Sequence, residues 1–312
     1  MNRAVYSPLW PNVAAKEEEK IEVDTIISAY ATQFNYDVSN YFSDKSIYVY
    51  ICPKTGYRFF YPFNCSGKSE FYEHFQKFEW YYMPWKWEHE IVAQYIRKDL
   101  KLLEVGCGGG GFLNKIQKDR NVRGIGLELN KESIEYGRRN HIDIRNETIQ
   151  EHALLNEEKY DLVCSFEVLE HISDVKTFIQ ATVDTLKTGG LLSIGVPNND
   201  SFIKLNFENN ILNQPPHHMG LWNKRSLKSL TKLYPLKIKR IFYEPVQEYH
   251  KKYYVDSLNH FYEKMISKKY FFFLKYLPNF FKAAFKKIFL WTLSKQFKNG
   301  QTLVIIYEKS TN

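Results

Sequence analysis

The segment KLLEVGCGGGGF, residues 101–112, carries the clearest fold signal in the chain. A short apolar run leads into a turn with five glycines, and GFLNKIQKD then follows a helical pattern. Glycine lets the chain turn tightly and lets a ligand approach the backbone where a helix begins. The order of strand, glycine turn and helix predicts a nucleotide-binding unit. Taken alone, the G-x-G-x-x-G match at Gly106, Gly108 and Gly111 fits a dinucleotide-binding fold equally well.

Strand and helix patterns alternate on both sides of this turn, between residues 100 and 196. The apolar segments VRGIGLEL, KYDLVCSF and LLSIGVPN are separated by the helical patterns KESIEYGRRN and SDVKTFIQATVDTLKTGG. Two later segments, LKIKRIFYEP and QTLVIIYEK, also have strand character. Such alternation is typical of parallel strands joined by right-handed crossovers, so we predict an α/β, Rossmann-like core.

Two acidic residues near the glycine turn distinguish between cofactors. Glu104 lies two residues before Gly106, where a carboxylate can pair with the amine end of S-adenosylmethionine and would repel a pyrophosphate. Glu128 ends the next strand, where it can accept hydrogen bonds from ribose hydroxyls, as also happens in NAD proteins. Glu104 therefore favours S-adenosylmethionine over NAD.

Successive motifs resemble those of class I S-adenosylmethionine-dependent methyltransferases: EVGCGGG, GLE, YDLVCSFEVLEH and LKTGGLLSIGVPN, with PPHHMGLW at 215–222 as an extension. The resemblance implies a mostly parallel seven-stranded sheet and S-adenosylmethionine as the cofactor. In that family the glycine turn holds the methionine moiety, the acid after the second strand holds the ribose, and residues 148–150 face the adenine. The implied cofactor site contains Glu104, Gly106, Cys107, Gly108, Gly110, Glu128, Leu129, Thr148, Ile149, Gln150, Phe166 and Glu167.

Carboxylate and imidazole side chains follow the strand that ends at Phe166. Glu167, Glu170 and His171 lie where open α/β sheets place their ligands, and PPHHMGLW adds His218. A hydroxyl acceptor must lose a proton, which requires a base or a metal. Glu167, His171 and His218 are therefore the candidate catalytic residues.

The same residues resemble a metal site. Methyltransferases of ubiquinone synthesis and of small-RNA 3′ ends bind a divalent metal through E-x-x-E-H, completed in the RNA enzymes by a histidine four residues before a tryptophan. Glu167, Glu170 and His171 match the motif, and His218 stands four residues before Trp222. The resemblance implies a site for Mg²⁺, Mn²⁺ or Zn²⁺. EVLEH also occurs in metal-free class I methyltransferases, where these side chains order the pocket, so both interpretations stay open.

The first 85 residues are expected to form a cap. Residues 1–30 look like a loosely held leader, and residues 48–63 predict a hairpin that is separate from the core. The hairpin resembles the N-terminal unit of sugar and surface-polysaccharide methyltransferases, in which a C-P-x-C-G knuckle binds zinc. Thr55 replaces the second thiol here, which argues against a four-ligand site. Aromatic residues in the helical stretch 71–96 predict either a stacking wall for a sugar or base, or core filling; they are Tyr81, Tyr82 and Trp85.

The basic charge is concentrated near the C-terminus. Residues 251–312 carry a net charge of +9, from twelve lysines and three acidic residues, and the rest of the chain is close to neutral. This segment overlaps a predicted helical insertion, in which an apolar row follows helical spacing: Phe281, Phe285, Ile288 and Thr292. We expect the row to pack on the sheet, with docking on an anionic membrane surface as the alternative. The predicted division is a cap at 1–85, a core at 86–245 plus 300–312, and the insertion at 246–299.

These features predict a cytoplasmic enzyme that methylates a hydroxyl of a small molecule, sugar or surface-glycan precursor. Four cysteines form no disulfide framework, and no signal-type or membrane-spanning apolar run is evident. An RNA 2′-O-methyltransferase with a metal is the first alternative, although the basic segment lacks the arginine that suits phosphate contacts. A non-catalytic S-adenosylmethionine-binding protein is the second, and an NAD oxidoreductase is a distant one.

Overall fold

The computed structural model describes residues 4–78, 81, 83–267, 276 and 278–311. Its strands, in chain order, are β1 (Lys16–Glu22), β2 (Ser46–Ile51), β3 (Arg58–Tyr61), β4 (Leu102–Val105), β5 (Gly124–Leu127), β6 (Asp143–Arg145), β7 (Tyr160–Phe166), β8 (Leu186–Pro197), β9 (Gly220–Leu221), β10 (Leu236–Pro245) and β11 (Asn299–Lys309). The helices are α1 (Val23–Phe34), α2 (Ser69–Gln76), α3 (Trp87–Ala93), α4 (Gly111–Arg120), α5 (Lys131–Arg139), α6 (Ile149–Ala153), α7 (Val175–Asp184), α8 (Lys224–Ser229), α9 (Lys251–Ile266) and α10 (Asn279–Gln296).

The larger sheet has seven strands in the order β10-β11-β8-β7-β4-β5-β6. Strands β4 to β8 run parallel, so that Leu103 pairs with both Ile125 and Val163, and β11 is antiparallel to β8 and β10. The apolar strand residues are buried on both faces, as a parallel sheet between helices requires. The prediction of a Rossmann-like core with a mostly parallel seven-stranded sheet is confirmed.

A second sheet, in the order β1-β2-β3-β9, contains the predicted hairpin as β2 and β3. The expectation that this hairpin is separate from the core is wrong. Strand β9, which lies just after the histidine pair, pairs with β3, and the ring of Tyr57 lies 4.2 Å from that of Trp222. Within the hairpin turn, the hydroxyl group of Thr55 accepts a hydrogen bond from the backbone of Tyr57.

The leader is also more ordered than expected. Strand β1 pairs along its length with β2, and Val23, Ile26 and Tyr30 on α1 are buried. Leu9 joins the main core. The strand was not predicted because its acidic run, Glu17–Glu19, lacks an apolar pattern. An edge strand whose side chains mostly face solvent does not need one.

Three boundaries differ from the sequence prediction. The helical stretch 71–96 is divided into α2 and α3, with Pro84 in the segment between them. Helix α7 ends at Asp184, and the residues KTGG belong to the start of β8. Strand β6 has only three residues, too few for a recognisable period.

The insertion forms α9 and α10, which share an apolar cluster with the segment Phe202–Asn209. The predicted apolar row does not pack on the sheet: Phe281 and Ile288 are 56% and 65% exposed. Leu293 and Phe297 are the buried residues instead, because the opposite side of α10 faces the cluster. In the part of the chain that the structure describes, no helix is long and apolar enough to cross a membrane.

Candidate active site

A cleft of about 2510 Å³ opens at the carboxyl ends of the parallel strands. Open α/β sheets bind ligands at this edge, where the strand order reverses, and the reversal here lies between β4 and β7. All the predicted cofactor, catalytic and metal residues line the cleft except Gly110. The fold therefore brings residues from 104 to 218 around one cavity.

The glycine turn after β4 adopts a conformation that other residues rarely take. Gly106, Gly108 and Gly110 have φ angles of 73°, 54° and 75°. A Cβ atom on Gly106 would lie only 2.4 Å from a methyl group of Val168. Gly110 precedes α4 as its N-cap residue and lies against Ile142 and Ile144, so it shapes the turn, while Gly109 lines the cleft.

Glu128 is fixed by three backbone hydrogen bonds. Its Oε2 accepts from the N–H of Gly108 at 2.8 Å, and its Oε1 accepts from those of Leu129 and Asn130 at 2.8 and 2.9 Å. These bonds tie the end of β5 to the glycine turn. Because each carboxylate oxygen has two lone pairs, Oε2 keeps an acceptor site for a ligand hydroxyl.

Glu104 is a buried carboxyl group on β4 without a full set of partners. Its Oε2 has no hydrogen-bond partner among the described residues. Burial, and secondly the charge of Glu128, raises the pKa of Glu104 well above its usual range. A buried carboxyl group in this state is costly, and a ligand ammonium group beside it would relieve that cost.

The far side of the cofactor cleft combines a helix cap with apolar surface. The Thr148 hydroxyl caps α6 by accepting from the N–H of Glu151 at 3.2 Å. Ile149 and Leu129 present apolar side chains at the cleft. The Gln150 amide donates to the hydroxyl of Thr177 at 3.3 Å, so its side chain is held against α7.

The side chains of Glu170, His171 and His218 lie close together in the cleft. Oε1 of Glu170 lies 3.9 Å from Nε2 of His171 and 3.9 Å from Nε2 of His218. Glu170 is buried, and neither of its carboxyl oxygens has a hydrogen-bond partner within the described ranges. We call these three side chains the histidine cluster.

Hydrogen bonds behind the two imidazoles determine which nitrogens carry protons. Nδ1 of His171 lies 2.6 Å from the carbonyl oxygen of His217 and must donate to it. Nδ1 of His218 lies 3.0 Å from Oδ1 of Asn213. That amide is oriented because its nitrogen donates to Asn199, whose own amide nitrogen donates to two backbone carbonyls. Both imidazoles therefore turn an unprotonated Nε2 toward the carboxyl group.

The electrostatics of the histidine cluster follow from burial. Burial raises the pKa of Glu170 to about 8 and lowers the pKa of His171 to about 4. Burial, with the neighbouring histidines, also lowers the pKa of His218 well below its usual range. The cluster thus offers two neutral imidazole lone pairs and a carboxyl group to a shared point. Neutral imidazole and carboxylate are the forms that bind divalent metals, so these residues fit such an ion.

Glu167 begins the turn that follows β7. It has a φ angle of 52°, and its Oε1 has no partner among residues that the structure places. Burial is the main reason why its pKa lies well above its usual range, followed by the charges of Glu170 and Glu88. Its carboxyl group is therefore held in the protonated form more readily than an exposed one, and a cation beside it would favour its ionisation.

The aromatic cap contacts the site through His217. One ring nitrogen from each of His171, His217 and His218 lies within 4.8 Å of the other two. His217 is nevertheless occupied, because its Nε2 lies 2.7 Å from the hydroxyl group of Tyr81 and its Nδ1 lies 2.7 Å from a backbone carbonyl. Trp85 stacks at 5.9 Å on Phe112 as core packing. The predicted Tyr82 lies outside the described residues.

The sequence prediction did not include two acids of the cleft. Glu88 on α3 and Glu244 near the end of β10 are each 2% exposed, and both line the cavity. Neither belongs to a recognised motif. An acid near the carboxyl end of an apolar strand was the available signal for Glu244.

A family model described as "Methyltransferase domain" matches residues 80–239, slightly more than half of the chain. The chain belongs to this methyltransferase-domain family. Its fold and cleft are those of class I S-adenosylmethionine-dependent methyltransferases. The predicted enzyme class and the predicted cofactor, S-adenosylmethionine, are confirmed.

Individual methyltransferases share parts of the chain. The ubiquinone biosynthesis O-methyltransferase of Bartonella tribocorum is 33% identical over 105 residues, which are 32% of this chain and 42% of that protein. The chain thus spans about two fifths of the length of the curated relatives that it matches. A chain in the complex of the Haloferax volcanii Trm112 methyltransferase activator with a methyltransferase is 12% identical, with a TM-score of 0.50 over 72% of this chain and 90% of that one. This likeness supports the fold alone.

Proposed function

We propose that this methyltransferase transfers the methyl group of S-adenosylmethionine to a hydroxyl oxygen of a small acceptor. The observation that carries the proposal is the histidine cluster, in which the unprotonated Nε2 atoms of two imidazoles each lie 3.9 Å from one buried carboxyl oxygen in the cleft. Methyl transfer to oxygen requires an in-line approach to the sulfonium and removal of the hydroxyl proton. The cluster is suited to the second task.

The cofactor roles follow the geometry of the cleft. Glu104 would pair with the ammonium group, the backbone at Gly106, Cys107 and Gly108 would hold the methionine moiety, and Glu128 would hold the ribose. Further residues would enclose the adenine and the sulfur; they are Leu129, Thr148, Ile149, Gln150, Phe166 and Glu167.

We also propose that Glu170, His171 and His218 hold a divalent cation, with Glu167 beside it. Two nitrogen ligands suit Mn²⁺ or Zn²⁺ better than Mg²⁺. When bound, such an ion lowers the pKa of a coordinated hydroxyl group. The chain itself orients both imidazoles through Asn213 and the backbone at residue 217, which prepares them to bind the ion.

Two acceptor classes have support. A sugar or surface-glycan precursor is favoured by the resemblance of the N-terminal hairpin and by the carboxyl groups of the cleft, which accept hydrogen bonds from hydroxyls. An aromatic hydroxyl is favoured by the names of the curated relatives, which are ubiquinone biosynthesis O-methyltransferases. A polynucleotide is disfavoured, because the carboxyl groups of Glu88, Glu167 and Glu244 offer no positive charge to phosphates.

The proposal is tested with radiolabelled S-adenosylmethionine and a panel of sugars, amino sugars and catechols, with the position of the methyl group assigned by NMR. We expect methyl ethers as products. Chelation is expected to lower kcat/KM by about 100-fold, and Mn²⁺ is expected to restore it. Methyl groups found only on nitrogen or carbon would contradict O-methylation, and full activity after chelation would contradict the metal site.

We propose that the exposed side of α10 contacts an anionic membrane surface. Phe280, Phe281, Ile288 and Trp291 are all more than half exposed on this side, where their apolar surface faces solvent. Helix α10 contains lysines and no acidic residue, so its charge complements anionic lipid. This contact would bring a lipid-linked acceptor to the cleft.

Vesicle binding checks this contact. We expect the protein to cosediment with phosphatidylcholine vesicles that contain phosphatidylserine, and to be released by salt. Ile288→Glu or Trp291→Glu should weaken the binding at least about tenfold. Leu155→Glu is the matched control, because Leu155 is an exposed leucine away from α10. Equal binding of all variants would refute the contact.

A further inference from the structure

A second group of carboxyl groups lines the cleft beside the histidine cluster. Glu88, Glu167 and Glu244 come from α3, the turn after β7 and the end of β10. Oε1 of Glu88 and Oε1 of Glu167 have no hydrogen-bond partner in the described part of the chain. The side chain of Glu88 is almost completely shielded from solvent. We call these three residues the acid subsite.

The insertion completes one wall of the acid subsite. His250 and Tyr253, at the start of α9, line the same cleft, and their Nδ1 and hydroxyl group also lack partners among the described residues. The carboxyl group of Glu244 does have a hydrogen-bond partner, since its Oε2 accepts from the N–H of Thr302 at 3.0 Å. Buried hydrogen-bonding atoms of residues from several separate elements that line the cavity thus lack a partner among the described residues.

The charge of this region depends on whether its carboxyl groups are ionised. Lys86 is the cation whose charge acts on Glu88 and Glu167. Burial raises the pKa of Glu88, and burial with the charge of Glu88 raises the pKa of Glu244 to about 7. Buried carboxyl groups that lack partners destabilise a fold, and proteins retain them chiefly where a ligand uses them.

We propose that the acid subsite binds an ammonium group of the acceptor, so that the acceptor is a polyhydroxyl compound with an amino group, such as an amino sugar. This inference rests on the proposed O-methylation and names its substrate class. An ammonium group beside these carboxyl groups would lower their pKa and form ion pairs with them, which a neutral polyol cannot do, and a phosphate would find no positive charge there. An ammonium nitrogen has no lone pair, so the methyl group goes to a neighbouring hydroxyl oxygen.

Calorimetric titration of the enzyme saturated with S-adenosylhomocysteine tests the proposal. The probes are glucosamine, glucose and N-acetylglucosamine near neutral pH, where the amine of glucosamine is largely protonated and the carboxyl group of Glu244, whose pKa is about 7, is partly ionised. Glucosamine is expected to bind at least about tenfold more tightly than either neutral sugar, because its hydrogen bonds are charge-assisted. Equal affinities, or no detectable binding of glucosamine, would overturn the proposal.

Substitutions in the acid subsite test which residues cause the preference for glucosamine. Glu88→Gln and Glu244→Gln should each reduce the preference for glucosamine to less than about threefold while S-adenosylhomocysteine binding persists. Glu90→Gln, an exposed glutamate on the same helix, is the matched control and should keep the full preference. A preference that persists in both subsite variants would place the ammonium group elsewhere and overturn the assignment. Should either variant fail to bind S-adenosylhomocysteine, the comparison of sugars on the unmodified enzyme decides.

Product analysis separates this proposal from the proposed function. Equally efficient O-methylation of neutral and amino acceptors would contradict the proposed acid subsite and would support the proposed O-methylation. A tenfold preference for glucosamine in binding, without O-methylation of any acceptor, would support the subsite and contradict O-methylation.

Discussion

Glu170→Gln is expected to lower kcat/KM for methyl transfer by about 10³-fold and to change the affinity for S-adenosylhomocysteine by less than about threefold. The carboxyl group of Glu170 is the acidic member of the histidine cluster, 3.9 Å from both imidazole nitrogens. The amide is equal in size but cannot supply the negative charge that a cation or an imidazolium needs. Steady-state kinetics with radiolabelled cofactor and calorimetry measure the two effects separately.

Two further variants test how the cluster is oriented. His218→Gln should match Glu170→Gln, and Asn213→Leu should cost about 10- to 100-fold because it releases Nδ1 of His218. His141→Gln serves as the control, since His141 is exposed and is not among the residues that line the cleft. Activity within about tenfold of the unmodified enzyme for both cluster variants would refute the role of the cluster.

Glu104→Ala is expected to weaken the binding of S-adenosylmethionine and of S-adenosylhomocysteine by about 100-fold. Both compounds carry the ammonium group that would pair with this buried carboxyl group, whose Oε2 lacks a partner among the described residues. Methylthioadenosine lacks that group, so its affinity should change by less than about threefold. Calorimetric titration with the three compounds measures the difference.

This comparison separates a lost ion pair from a damaged site. An equal loss for methylthioadenosine would mean that the substitution disturbs the cleft as a whole. Unchanged binding of all three compounds would show that Glu104 does not hold the ammonium group. Glu157→Ala, at an exposed glutamate, is the control for the loss of one negative charge.

The core could be predicted because its signals are local. Strands that are buried on both faces are almost continuously apolar, and the turn after β4 needs glycine at positive φ angles. The sequence prediction was wrong where tertiary contacts determine whether a strand forms or which side of a helix is buried. Strand β1 is mostly acidic and exists because it pairs with β2, and the side of α10 that is buried depends on α9.

The site was predicted as far as motifs reach. Glu104, Glu128 and the histidine cluster belong to recognisable segments, and the fold brings them to one cleft. Glu88 and Glu244 carry no motif, because their role depends on α3 and β10 meeting at the cleft. Asn213 carries no motif either. It orients His218, and it is remote in sequence from Glu170, the carboxyl group beside that histidine.

The most decisive measurement is anomalous diffraction from crystals grown with S-adenosylhomocysteine and Mn²⁺. The proposed function predicts an anomalous peak at bonding distance from the carboxyl group of Glu170 and from Nε2 of His171 and of His218. A fully active enzyme whose crystals show no peak at these three side chains would contradict it.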